Sequence, residues 1–157
     1  MTTPTNLPTG YTGTSTDFLH TKVDRDGCAR LQYSTITITA AATAGTTYGL
    51  VPFNKGYRLS YGTRLGTDDL DSASTVTLDI GYTYKTGSSA TDDPDAFATA
   101  LSAQAAGLLT FDEKTGLSWV AEDDGWITVT IAAGPTTTTG SVNGQFLGVY
   151  DGLSAAN

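Results

Sequence analysis

The feature that most constrains this chain is strict two-residue alternation of apolar and hydroxyl-bearing side chains. In Ser74–Tyr84, Val76, Leu78, Ile80, Tyr82 and Tyr84 fall on one parity and Thr75, Thr77, Asp79 and Thr83 on the other. Successive side chains of a strand point to opposite faces, so this parity builds a sheet with one buried and one wet face. Three more segments repeat the pattern. Ile36, Ile38 and Ala40 oppose Thr35, Thr37 and Thr39. Tyr57, Leu59, Tyr61 and Leu65 oppose Arg58, Ser60 and Arg64. Ile127, Val129 and Ile131 oppose Thr128 and Thr130. Weaker strands are expected at Thr47–Phe53, Leu117–Ala121 and Gln145–Tyr150, and a further edge strand at Thr136–Thr139. Turns are expected at Asn54-Lys55-Gly56, Lys85-Thr86-Gly87, Asp123-Asp124-Gly125 and Val142-Asn143-Gly144, where Gly and Asn supply the backbone conformations of tight turns. Seven or eight short antiparallel strands at this spacing imply an all-β sandwich or barrel. Its expected core is Ile36, Ile38, Leu59, Val76, Leu78, Ile80, Ile127, Val129 and Ile131.

One helix is expected to interrupt the strands. Asp93 suits an N-cap, Pro94 the first helical position, and Asp95 the positive end of the helix dipole. Phe97 and Leu101 stand four apart, and Gly107 suits the C-terminal cap.

With 157 residues the chain suits one domain. The sandwich is expected over residues 31–152, with a short tail at 153–157. Residues 1–30 hold Pro4, Pro8 and Gly10 and few large apolar side chains. They read either as an unstructured terminus or as an extended arm that orders on a neighbour, with Tyr11, Phe18 and Leu19 as anchors.

Function is bounded mostly by exclusion. The formal net charge is −8, which disfavours binding to phosphate backbones and anionic membranes. Cys28 is the single cysteine, so no internal disulfide is possible. Met1–Gly10 has no basic or apolar run of a signal peptide, and no stretch has the roughly 18 apolar residues of a membrane span. The expectation is a soluble protein folding in a reducing cytoplasm. His20 and Cys28 have no evident third partner for nucleophilic catalysis and are too few for a zinc site. No catalytic residue, cofactor or metal is therefore expected. Three acidic clusters, Asp68-Asp69-Leu70-Asp71, Asp92-Asp93-Pro94-Asp95 and Glu122-Asp123-Asp124, offer oxygen ligands but lack calcium-loop spacing. They read as polar turns and a helix cap. Trp126 alternates out of phase with Ile127 and is expected to be exposed, which makes it an interface candidate.

The stretch from Tyr48 to Leu59, with its Pro52-Phe53-Asn54-Lys55-Gly56 turn, resembles a segment of structural proteins of tailed bacteriophages. The following strand Ser74-Thr75-Val76-Thr77-Leu78-Asp79-Ile80-Gly81-Tyr82 and the acidic Asp92-Asp93-Pro94-Asp95-Ala96-Phe97 resemble theirs in the same order. These proteins include head decoration, or cement, proteins built on jelly-roll sandwiches. The resemblance spans roughly residues 47–102 and brings no functional residue with it. It implies a jelly-roll-like sandwich and a non-enzymatic virion structural protein assembled in the host cytoplasm. Such a protein decorates and stabilises the outer capsid surface, with the major capsid protein and further copies of itself, a trimer for preference, as partners. The competing expectation is a receptor- or carbohydrate-binding module of a tail or fibre, which would show an exposed row of aromatics or a calcium loop.

Overall fold

The computed structural model describes residues 29–150, apart from 61, 72–74, 110, 112–115 and 117. Tyr11, Phe18, Leu19, His20 and Cys28 lie outside the described residues. Nine strands follow one another: β1 Ala29–Ile38, β2 Thr47–Phe53, β3 Tyr57–Leu59, β4 Arg64–Thr67, β5 Thr77–Tyr84, β6 Asp93–Ser102, β7 Gly107–Leu109, β8 Gly125–Ala133 and β9 Gly140–Tyr150. They form two antiparallel sheets. One has the order β1-β9-β4-β7, with β3 added on β9; the other has the order β2-β8-β5-β6. The links β1–β2, β4–β5, β6–β7 and β8–β9 each join strands of equal rank in the two orders. That connectivity is a jelly roll.

Alternation determines the layering. Along β1, Ile36 and Ile38 point inward and Tyr33, Thr35 and Thr37 outward. β5 and β8 send Leu78, Ile80, Ile127, Val129 and Ile131 inward from the second sheet. Of the nine expected core residues, eight are buried and Leu59 is partly buried against them. The parity of the strong segments is therefore observed. Tyr57–Leu65 is not one strand, since the chain breaks at Ser60 and Thr63 and makes β3 and β4, both paired to β9.

Several expectations are overturned. Among the described residues there is no α-helix. The segment opening at Asp93 is β6, the edge strand of its sheet. Asp92 caps the β5–β6 hairpin instead of a helix, its Oδ1 accepting from the Tyr84 amide at 2.7 Å. Pro94 is tolerated because an edge strand leaves some amides unpaired. Burial of Ala96, Phe97 and Ala98 against the sheet outweighs the helical preference of an alanine-rich segment. Gly81 makes the crossing possible: a Cβ there would collide with the Asp93 carbonyl and the Pro94 backbone.

Ser118–Ala121 is not a strand; it closes on the β2–β3 turn through Gly56 N–Ala121 O and Ala121 N–Tyr57 O bonds of 2.8 and 2.9 Å. Thr136–Thr139 is a loop whose hydroxyls bond other loops, as Thr136 Oγ1 does to Thr39 O at 2.8 Å. Val142-Asn143-Gly144 lies inside β9, opposite Ile36, Thr35 and Ser34, with the Phe146 ring packed over Gly144.

Two substitutions test this packing. Leu78→Ala should cost about 2–5 kcal/mol, the range for emptying a leucine site in a core. Gly81→Ala should destabilise comparably by lifting β6 off the sheet. Both are read by denaturant melts of the purified protein.

Candidate interaction face and the loops that frame it

Each end of the sandwich is tied by carboxylates. At one end Asp71 is buried. Its Oδ2 accepts from Thr75 N at 2.6 Å, Thr75 Oγ1 at 3.0 Å and Val76 N at 3.2 Å, and its Oδ1 from Thr137 Oγ1 at 2.9 Å. One side chain thus joins the β4–β5 loop to the β8–β9 loop. Asp68 Oδ2 adds bonds to Ser141 N and Oγ at 2.8 and 2.7 Å, which hold its carboxyl below its ordinary pKa.

At the other end Lys85 Nζ lies 2.8 Å from Asp123 Oδ1 and 3.1 Å from Asp124 Oδ2. Asp124 Oδ1 also accepts from Asn54 Nδ2 and Lys55 N at 3.3 and 3.1 Å. The hydrogen bond to Asp123 raises the Lys85 pKa. Partial desolvation pushes Asp123 upward, but the Lys85 bond and the Asp124 amide outweigh it and leave it lowered. Beside this knot, Trp119 fills the mouth of the sandwich, stacked on Tyr82 at 4.8 Å and edge-on to Phe53 and Phe97 at 5.1 and 5.2 Å. Burial pushes the Tyr82 hydroxyl up to about 12, so it stays neutral.

The acidic clusters are thus loop ties and a hairpin cap. No three of the described His, Cys, Asp and Glu side chains come together as a metal-holding group. No helix of the described residues is long and apolar enough to cross a membrane.

Trp126 is fully buried, contrary to its expected exposure. It does lie on the face of β8 away from the aliphatic core, in register with Pro52 and Thr83. That face is covered as well: Thr128 and Thr83 on it are buried, and the start of β6 passes over Gly81 there. Parity identified the face correctly; tertiary packing, which parity does not report, decided its exposure.

The free surface is the outer face of the five-stranded sheet. The large apolar residues exposed among the described ones are Leu31, Tyr33 and Leu108, and all three stand on it. Register places them in rows. Leu31 pairs with Leu147; Tyr33, Gln145 and Arg64 form the next row; Thr35, Asn143, Gly66 and Leu108 the row after. Arg58 stands beside Val149. Thr35 Oγ1 and Asn143 Oδ1 are 2.9 Å apart, and Asn143 Nδ2 donates to Ser141 Oγ at 3.1 Å, so the far half of the face is a closed polar ladder ending at Asp68. The near half is apolar with arginines. Alternation marks Tyr33 as outward, but only the sheet order shows that Leu31, Tyr33, Arg64 and Leu108 share one surface.

No model of a known protein family matches the chain, and no curated protein matches it. Solved structures do. The chain is similar to one in the capsid of Ralstonia phage GP4, with 25% identity and a TM-score of 0.61 over 79% of this chain and 87% of that one. It is also similar in fold to a chain of the cyanophage Pam1 capsid asymmetric unit, with 22% identity and a TM-score of 0.58 over 80% and 86%. The class defined by fold and surface is a jelly-roll sandwich of the kind found in phage capsids. The likeness to the Ralstonia phage GP4 capsid chain supports a structural role in a virion.

Two outcomes follow for the loop ties. Asp71→Ala leaves the buried Val76 amide without its acceptor and unties Thr75 and Thr137, and should cost about 1–3 kcal/mol, the scale of one orphaned buried group, read by denaturant melts. The lowered pKa of Asp123 means that its contribution is present above its unfolded pKa and lost as pH falls through the folded one. The raised pKa of Lys85 means that its contribution is present below its ordinary value and lost as pH rises through the folded one. Lys85 is substantially exposed, so Lys85→Met should cost at most about 1 kcal/mol and flatten both flanks of a melting-temperature profile against pH.

Proposed function

We propose that this protein decorates a phage capsid, seated on the outer surface of the shell formed by the major capsid protein, and stabilises that shell by burying area rather than by chemistry. The carrying observation is the jelly-roll sandwich, shared over most of its length with chains of two phage capsids. The decoration reading adds the resemblance of residues 47–102 to head decoration proteins and the acidic charge, which suits a protein kept soluble at high density and away from packaged DNA. The glycan-binding alternative finds less support: Tyr48, Tyr57, Tyr84 and Trp126 are buried, and among the described residues Tyr33 is the one aromatic exposed as a large apolar side chain.

Self-association is part of the proposal, with a trimer preferred from the resemblance. β1 is an edge strand of ten residues, with no Pro or Lys and no bulge in its pairing to β9. Edges of this kind are normally covered. Residues 1–30 are proposed as the covering arm, anchored on a neighbour by Tyr11, Phe18 and Leu19. Ordering such a segment costs about 1–2 kcal/mol per residue, so it orders only where it buries substantial area.

Light scattering should give a trimer in solution; a monomer at high concentration would count against self-association. Purified protein added to heads assembled without it should bind them and raise their melting temperature. Removal of residues 1–30 should leave the sandwich folded and weaken attachment; equally tight binding by the truncated chain would assign attachment to the sandwich alone.

A further inference from the structure

The charge of this chain is segregated. Strands β1, β3, β4, β7 and β9, which make up the whole five-stranded sheet, contain no Asp or Glu, although the chain has 16. They do contain Arg58 and Arg64, both exposed. The carboxylates of the described residues lie elsewhere, on the end loops and on β5 and β6 of the other sheet, with Asp68 at the border engaged by Ser141. Arg64 reaches from the row of Tyr33 and Gln145, one row from Leu31 and Leu147. Next to it, Leu108 packs over Gly66, with 3.9 Å between Leu108 Cδ2 and a Cβ placed there. Tyr, Arg and Leu on strands that carry no Asp or Glu match the composition of interface centres, where aromatics and Arg are enriched and acidic residues depleted.

We propose that this face, centred on Leu31, Tyr33, Leu147 and Arg64, is the surface by which the sandwich seats on the shell, and that it meets a protein surface presenting carboxylates beside apolar side chains. This rests on the decoration reading above and adds to it a face, an orientation and the chemistry of the partner. Charge complementarity selects that occupant. A second copy meeting the same face across a two-fold axis would bring Arg64 of both copies into one desolvated contact with no acid from either set of strands to neutralise it. A shell surface with carboxylates pairs Arg64 in fork geometry while Leu31, Tyr33 and Leu147 are desolvated around it. Seated this way, the protein turns the carboxylates of β5 and β6 toward solvent rather than the joint.

The test compares full-length wild type with Arg64→Glu, Tyr33→Ser and, as a control on the opposite sheet, Asp95→Lys. Each is titrated onto heads assembled without the protein, with melting temperature and light scattering measured on the same samples. Arg64→Glu and Tyr33→Ser should each weaken head binding by about tenfold or more, the scale of an interface hot spot. Their melting curves and oligomer size should be unchanged, and Asp95→Lys should bind as wild type. Wild-type binding should also weaken with salt, and that slope should shrink in an Arg64→Gln variant. Wild-type binding retained by both face variants overturns the assigned face while the decoration reading stands. Oligomer dissociation by either variant makes the face a contact between copies and overturns the assigned partner. Failure of the wild type itself to bind heads overturns both.

Discussion

The structure depends on β9. This last strand pairs with β1, β3 and β4, so three of the four other strands of its sheet are held through it. Its ladder with β1 runs from Ala29↔Val149 to Ile38↔Gly140 without a shift in register. Without β9, β1 and β3 have no partner in the five-stranded sheet and only the short β4–β7 pair remains. Contacts between chain ends are entropically slow to form, since the loop must close before the pairing rewards it. The second sheet is more local in sequence, with the β5–β6 hairpin and β8 between β2 and β5. It offers a surface on which the first can assemble.

Such a sandwich leaves its ends to be closed by loops, and here carboxylates close them. Asp71 at one end and Asp123 and Asp124 at the other accept from loop amides, hydroxyls and the Lys85 ammonium. Hydrogen bonds to ionised acceptors are stronger than neutral ones, which suits groups that must hold segments without regular pairing. One consequence is a sorting of charge: acids gather in the loops and on the β5–β6 side, while the sheet built on β9 stays free of them.

Much of this was legible in the residues. The parity of Val76, Leu78 and Ile80, of Ile36 and Ile38, and of Ile127, Val129 and Ile131 identified the core, because a strand has no other way to bury such a pattern. The Asp93–Gly107 stretch misled because its local signals, an acidic cap, proline and several alanines, favour a helix. Pairing with β5 and burial of Phe97 outweighed them. Trp126 misled for a related reason: parity places a side chain on a face but does not say whether another segment crosses that face. The short β7 and the Leu108 on it gave no periodic signal at all.

By itself the sequence determined that the chain is an antiparallel β sandwich with an acidic surface, since period-two alternation and net charge are properties of residue order and composition alone. The tertiary structure decided the rest. Sheet order gathered Leu31, Tyr33, Arg64 and Leu108 from three distant segments into one surface, the start of β6 crossed over Gly81 on the Trp126 side of the other sheet, and loop contacts turned acidic clusters into ties. All three depend on pairing between segments far apart in the chain, and such pairing is set by the closing of the sandwich, which no local pattern encodes.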